Sequence, residues 1–153
     1  MTPRTPNPAS AYLRNKVLTA SPRELRLMLY DGALKFCHQA IEAIEAGQIE
    51  PGFDALMRAQ KIVLELSTSL KHDVEPDLCA KLSALYTYMY RLLVDANMTR
   101  DAAKVEEAIR LLEYERQTWV MLMEQLGEPV ASPADKDLTG AQQTAMSSLS
   151  LNG

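Results

Sequence analysis

Apolar residues recur every three or four positions along most of the chain, and this spacing continues from about residue 22 to residue 127. Such spacing is the period of an α-helix that buries one face. No stretch within these limits alternates apolar and polar residues over the length of a strand. The pattern therefore predicts an all-α protein.

Capping and helix-breaking residues divide this pattern into four helices. Residues 21–24, Ser-Pro-Arg-Glu, provide an N-cap serine, a proline at the first helical position and a glutamate that completes a capping box. Gly47 and Pro51 mark the first turn, and Pro76 follows the second. Asn97 is suited to the left-handed end of the next helix, with Asp101 as the following cap. The predicted helices are 22–46, 51–72, 76–97 and 101–127.

The loops between these helices are short, so consecutive helices are expected to lie antiparallel to each other. The predicted architecture is an antiparallel up-down-up-down four-helix bundle over residues 22–127. Residues 1–21 then form a flexible N-terminal arm, and residues 128–153, which are rich in Ser, Ala, Thr, Gln and Pro, form a disordered tail. Trp119 shares a stripe with Leu112 and Leu126, which predicts a place in the core.

The predicted helix 51–72 has more apolar surface than a bundle needs, since its apolar arc spans over half of its circumference. A partner, a ligand or the N-terminal arm is expected to cover the excess. The arm has apolar residues of its own that would be stranded in water unless they packed on the bundle, which suggests a loosely held lid. The predicted lid residues are Tyr12, Leu13, Val17 and Leu18.

Neighbouring flanks of the helices 51–72 and 76–97 are predicted to line a groove with an apolar floor and polar edges, which suits an amphipathic helix. The candidate residues are Phe53, Met57, Gln60, Leu64 and Ser67 on the first helix and Tyr86, Tyr90, Leu93 and Asn97 on the second. The handedness of the bundle is not readable from the sequence, so the opposite flanks remain an alternative. These carry Ile62, Leu66, Leu85 and Tyr88.

Composition and charge argue against nucleic-acid binding and membrane insertion. The 153 residues are 47% hydrophobic and 24% charged, with a net charge of −4, so there is no overall basic field to hold a nucleic acid. The longest apolar runs are much shorter than the roughly 18 to 20 residues that cross a bilayer, so no membrane insertion is expected. Residues 1–10 lack the apolar core of a secretory signal, and the expected location is the cytoplasm.

The sequence has few residues of the types that commonly form catalytic or metal-binding sites. Cys37 and Cys79 lie in apolar stretches and are interpreted as buried small hydrophobic residues. Neither His38 nor His72 follows a glutamate at the spacing of di-iron bundles, and no cluster has zinc spacing or the glycines of a phosphate loop. We expect no metal, no cofactor and no catalysis. Phosphotransfer through His38 is a distant alternative.

Several separate motifs follow one another along the chain at consistent spacing. They are Tyr12, the run from Val17 to Pro22, Glu24-Leu25, the run from Leu27 to Ala33, Phe36, Ala59-Gln60, Ile62, Glu65-Leu66, Ser69-Leu70, Leu85-Tyr86, Tyr88-Met89, Arg91, Leu93, Ala96-Asn97 and Trp119. Over about residues 11–126 these motifs resemble the flagellin export chaperones of the FliS type. One departure is Leu92, which follows Arg91 where many members of the family have a second arginine.

The resemblance implies an antiparallel helical bundle without catalytic activity. A chaperone of this kind binds the disordered C-terminal segment of flagellin, prevents its premature polymerisation and delivers it to a component of the flagellar type III export apparatus. A competing hypothesis is a homodimeric adaptor or regulatory bundle, whose excess apolar face binds only a second copy. Binding of flagellin through its C-terminal segment would distinguish the two.

Overall fold

A computed structural model describes residues 8–72 and 76–127, with the side chains of Leu13, Lys71 and His72 outside the described part. The predicted disordered tail, residues 128–153, also lies outside it. The described chain consists of helices and their connections, without a strand. The helices are α1 (Pro8–Thr19), α2 (Pro22–Glu45), α3 (Ile49–Thr68), a short 3₁₀-helix (Ser69–His72), α4 (Pro76–Thr99) and α5 (Ala102–Gln125).

Helices α2 to α5 form the predicted all-α bundle. Helix α2 packs on α3 and α5, and α4 closes the ring by packing on the same two helices. Each fully buried Leu or Met side chain stabilises this arrangement by about 1.5–3 kcal/mol. The interior residues include Leu56, Leu66, Met89, Leu93, Leu112 and Met123. Trp119 is also buried, as its stripe predicted.

The starts of α2 and α5 follow the capping chemistry of the sequence. At α2, the Glu24 amide donates to Ser21 Oγ at 3.1 Å, and the Ser21 amide donates to Glu24 Oε2 at 3.3 Å, which completes the capping box. At α5, Asp101 Oδ1 accepts a hydrogen bond from the Ala103 amide at 3.0 Å. These bonds satisfy amide groups that a helix leaves unpaired at its first turn.

The end of α4 differs from the prediction. Asn97 was expected to take the left-handed conformation, but α4 continues through it to Thr99, and Arg100 has the positive φ of 54°. The Asp101 amide donates to the Ala96 carbonyl at 3.2 Å, which is the closing bond of a Schellman motif. This bond places the left-handed residue three positions later than the sequence suggested.

Much of the N-terminal arm is helical, which the sequence analysis did not predict. Helix α1 ends at Thr19, and the Ala20 amide donates to the Val17 carbonyl at 3.4 Å just before α2 begins. The apolar residues of α1 do not form a single stripe, so the periodicity gave no sign of this helix. Tyr12 and Leu18 are exposed, and α1 has no extended packing interface with α3 or α4.

Candidate protein-binding groove between helices α3 and α4

An exposed apolar stripe runs along the outer side of α3. Phe53 is 51% exposed, Met57 37% and Leu64 53%, although all three are large apolar side chains. Their spacing of four and seven residues places them on one face of the helix. An apolar surface of this kind on a soluble protein commonly marks a binding site.

Gln60 belongs to the same row of α3 but is buried, and it fixes the stripe against α4. Its amide Nε2 donates to the backbone carbonyl of Leu93 at 3.4 Å. Because a buried amide needs a partner, this bond both satisfies Gln60 and ties the two helices together. Ser67 lies near the other end of α3 and is half-buried.

The residues predicted on α4 divide into two groups. Tyr90 and Asn97 are half-buried, and Asn97 lines a pocket together with Phe53 of the α3 stripe. Tyr86 and Leu93 are only 1% and 0% exposed. These two residues are therefore part of the interior and not of the exposed surface, and their contact with a client stays a prediction. They occupy the interior because α4 is packed on both α3 and α5, which leaves it a wide buried face.

Tyr86 is part of a buried polar network that the sequence analysis missed. Arg26 of α2 is 4% exposed and donates from Nη2 to the Tyr86 hydroxyl at 2.9 Å, while Tyr86 and Tyr30 share a hydrogen bond between their hydroxyls. Arg26 Nη1 donates to Ser69 Oγ at 2.8 Å and to the Leu66 carbonyl at 3.3 Å. One side chain of α2 thereby joins α4 and the end of α3.

Aromatic rings and one carboxyl complete the surroundings of Arg26. Its guanidinium carbon lies 5.2 Å from the Trp119 ring centroid, a distance suited to a cation–π interaction. The Trp119 indole N–H donates to the Arg23 carbonyl at 2.9 Å. Burial raises the pKa of Glu115, and the Arg26 charge opposes this increase. Burial likewise raises the pKa of Tyr86. The sequence did contain a signal for this network. Arg26 precedes the buried Tyr30 by one helical turn, so the two side chains lie on the same face of α2.

The alternative flanks do not form a comparable groove. Ile62 and Leu66 are buried, and Leu85 is half-buried. Only Tyr88 of this set is exposed, and its hydroxyl donates to Glu107 Oε1 of α5 at 2.6 Å. This flank of α4 is therefore turned toward α5.

A pocket of about 100 Å³ opens where the groove meets the turn between α2 and α3. Its buried wall is formed by Gly52, Leu56 and Ala96, while Asn97 and Arg100 lie nearer to solvent. Phe53 lines the pocket as well as the apolar stripe, so the pocket is the end of the same groove. The pocket was not predicted, because it depends on how two turns meet in space.

The residues that could act as nucleophiles or metal ligands are dispersed over the structure. Cys37 is buried, which raises the pKa of its thiol to about 12 and leaves no thiolate for nucleophilic attack near neutral pH. Cys79 is half-buried, and His38 is exposed on α2. Among the side chains that the structure describes, no three His, Cys, Asp or Glu are grouped so that they could hold a metal ion. None of the helices in these ranges is both long and apolar enough to span a membrane.

The chain matches the model of the family "Flagellar protein FliS" over residues 5–126. It is 42% identical over 113 residues to the flagellar secretion chaperone FliS of Bacillus subtilis (strain 168), covering 74% of this chain and 84% of that protein. The Salmonella typhimurium (strain LT2) protein of the same name is 33% identical over 112 residues, with 72% and 83% covered. The Campylobacter jejuni protein of that name is 32% identical over 110 residues, with 72% and 86% covered. The chain therefore belongs to the FliS family.

Proposed function

We propose that this protein is a cytoplasmic chaperone that binds the C-terminal segment of flagellin, prevents its premature polymerisation and supports its delivery to the flagellar type III export apparatus. The observation that carries the proposal is the exposed stripe of Phe53, Met57 and Leu64 on α3, which packs against α4. Relatives of the chain are named flagellar secretion chaperones, which supports this assignment. The proposal requires no catalytic step, metal or cofactor.

The groove is suited to an amphipathic helix of the client. Such a helix keeps its backbone hydrogen bonds internal and inserts an apolar stripe into the groove. Burying one exposed large side chain contributes about 1.5–3 kcal/mol, whereas ordering a disordered segment costs about 2–5 kcal/mol or more. Several contacts are therefore needed, and the three apolar residues of α3 supply them along one face.

The same contacts explain how binding would prevent polymerisation. A segment that assembles through an apolar helical stripe cannot present that stripe to another flagellin while it lies against Phe53, Met57 and Leu64. The bound segment stays masked until export. This mechanism needs a partner with an exposed apolar segment and needs no chemical change in that partner.

The N-terminal arm is proposed to act on this site as a lid. Tyr12 and Leu18 of α1 are exposed in the described structure, where they have no extended packing partner on α3 or α4. Two apolar residues next to the start of the bundle are available either to occupy the groove in place of the client or to contact the bound client. Leu13 and Val17 belong to the same proposed lid.

A homodimeric adaptor without a flagellin client is the second candidate. A specific feature favours it, because Tyr114, Met121 and Leu122 of α5 are exposed apolar residues outside the α3–α4 groove. A second copy bound there would bury them. The adaptor hypothesis and the chaperone proposal predict different responses to flagellin.

Co-purification distinguishes these functions. The protein is mixed with full-length flagellin, with flagellin lacking its C-terminal segment, and with the isolated segment, and each complex is followed by size-exclusion chromatography. The chaperone proposal predicts binding to the first and third partners only. Self-association with no binding to any flagellin form would favour the adaptor.

A further inference from the structure

We propose that the C-terminal tail of this protein, residues 128–153, competes with the client for the α3–α4 groove. In this arrangement residues 138–149 form an amphipathic helix that lies against Phe53, Met57 and Leu64 until flagellin displaces it. The inference rests on the proposed function, because it concerns the regulation of the same site. The match to the family ends at residue 126, so the tail lies beyond the matched part of the chain.

The second half of the tail has an apolar side in its sequence. Its apolar residues recur at three and four positions, the spacing that places side chains on one face of a helix. The opposite side of such a helix contains only Gly, Ser, Thr and Gln, and Gln142 is the single polar residue within the apolar side. The residues of the apolar side are Leu138, Ala141, Ala145, Met146 and Leu149.

The tail and α3 contain rows of residues with the same spacing when one row is followed backwards. In both rows successive members are four, three and four positions apart. Each row therefore extends over roughly 16.5 Å of helix. A tail helix that runs antiparallel to α3 would match the whole stripe and would place one glutamine opposite the other. The rows are Leu64, Gln60, Met57 and Phe53 on α3, and Leu138, Gln142, Ala145 and Leu149 in the tail.

Gln60 provides a polar contact point within the α3 row. Its side chain is 6% exposed, and its Nε2 donates to the Leu93 carbonyl, whereas its Oε1 has no hydrogen-bond partner among the described residues. A buried acceptor is stabilised when a donor reaches it. The Gln142 amide provides two N–H donors, and the antiparallel arrangement brings it opposite Gln60. The tail thus matches the α3 row in polarity as well as in length.

The tail leaves the bundle at the end where the α3 row finishes. Arg26 shows that the C-terminal ends of α3 and α5 are neighbours, because its Nη1 donates to Ser69 Oγ at 2.8 Å and its guanidinium carbon lies 5.2 Å from the Trp119 ring centroid. Gly127 follows Trp119 by about 12 Å of helix. Residues 128–137 span up to about 33 Å when extended, whereas packed helices are about 8–10 Å apart. This linker is long enough to cross the end of the bundle.

A tethered segment competes effectively even when its own affinity is weak. The small residues of the tail predict weak binding, because they bury little apolar surface. A linker of this length holds the segment at an effective concentration in the millimolar range. With an intrinsic dissociation constant of about 0.1 mM, the tail would occupy the groove about nine-tenths of the time and weaken client binding about tenfold. Flagellin at sufficient concentration would still displace it.

The first test uses full-length variants of the tail. Leu138→Asp combined with Leu149→Asp removes both ends of the apolar side, whereas Gln143→Asp combined with Ser147→Asp adds the same charge on the opposite side. Isothermal titration calorimetry measures the affinity of each form for the flagellin C-terminal peptide. The first double variant is expected to bind the peptide about fivefold to tenfold more tightly than the wild type, and the second as the wild type does.

The second test identifies the surface that the tail contacts. A labelled peptide of residues 128–153 is titrated with the first double variant, whose own tail no longer competes, and fluorescence anisotropy measures binding. The same protein is then tested with Leu64→Asp or with Met121→Asp added. Loss of binding with Leu64→Asp alone is expected. Loss with Met121→Asp alone would assign the tail to the exposed face of α5 and contradict the proposal.

The outcomes separate this inference from the proposed function. Equal affinity of the wild type and both double variants for the flagellin peptide would overturn competition by the tail and leave the chaperone function standing. Equally tighter binding by both double variants would show an effect of charge, and the apolar side of the tail would have no role. Failure of all forms to bind the flagellin peptide would overturn both proposals.

Discussion

The guanidinium of Arg26 donates from Nη2 to the hydroxyl of Tyr86 at 2.9 Å, so that a charged residue of α2 meets a tyrosine of α4 inside the bundle. The Tyr86 hydroxyl is also bonded to that of Tyr30, and the Arg26 guanidinium carbon lies 5.5 Å from the Tyr86 ring centroid. Buried polar groups of this kind stabilise a fold only when every member has a partner. The network therefore specifies how α2 and α4 are aligned.

Removing Arg26 should destabilise the protein strongly. Arg26→Ala would leave the Tyr86 and Tyr30 hydroxyls without their cation and Glu115 without the opposing charge that lowers its pKa. We expect a loss of about 3–5 kcal/mol in the free energy of unfolding, the usual cost of leaving buried charges and donors uncompensated. Urea unfolding followed by circular dichroism measures this loss.

The matched control is Arg110→Ala, which removes an exposed arginine from α5. A surface substitution of this kind should change the free energy of unfolding by no more than about 0.5 kcal/mol. Equal midpoints for Arg26→Ala and the wild type would show that the network does not hold the helices together.

Glu115 should lower the free energy of unfolding as the pH rises, whereas a carboxylate in an ion pair usually increases it. Burial raises its pKa from the ordinary 4.5, so the folded protein binds the proton more tightly than the unfolded chain does. The free energy of unfolding contributed by Glu115 is thus highest at acid pH, falls as the pH rises from about 4.5 through the raised value, and stays low above it.

Glu115→Gln removes this dependence while preserving the shape of the side chain. The stability of the variant relative to the wild type should therefore increase between pH 4 and pH 7, a range that spans the ordinary pKa of 4.5. Urea titrations at several pH values provide the comparison. The exposed Glu113→Gln is the control, and a difference that does not vary with pH for Glu115→Gln would contradict the raised pKa.

The helical bundle was predictable, since prolines, glycines and caps bound the helices and the 3.6-residue period identifies them. Trp119 and the capping box of Ser21 and Glu24 appear where the sequence placed them. Helix α1 was missed, because its apolar residues lack a stripe. The left-handed residue was predicted at Asn97 but is Arg100, since the bond that closes α4 comes later in the chain.

The candidate groove was less predictable than the fold. The exposed row of Phe53, Met57 and Leu64 follows from helical spacing on α3. Spacing alone does not say how deeply α4 is inserted between its neighbours, and so Tyr86 and Leu93 were placed in the groove although they are buried. The pocket at Arg100 depends on contacts between distant turns, for which periodicity gives no signal.

The lid hypothesis predicts that deletion of residues 1–18 changes the affinity for flagellin. If α1 competes for the groove, the deletion strengthens binding, whereas if Tyr12 contacts the client, the deletion weakens it. Calorimetry with the flagellin C-terminal peptide measures the sign, and binding of a dye to exposed apolar surface reports whether the groove is uncovered. Unchanged affinity together with unchanged dye binding would contradict the lid hypothesis.

The most direct measurement of the central claim is the affinity of the flagellin C-terminal peptide for groove variants of the full-length protein. Leu64→Asp and Tyr90→Asp place a carboxylate on each side of the groove, and each should weaken binding by about tenfold or more because an apolar contact is lost. The control is Met121→Asp on α5, because Met121 is 54% exposed and Leu64 is 53% exposed.

Isothermal titration calorimetry, with helicity checked by circular dichroism, compares these variants with the double variant. The account predicts that the double variant remains helical and loses binding, while Met121→Asp binds as the wild type does. Full binding by the folded double variant would contradict the account and move the client site away from the α3–α4 groove.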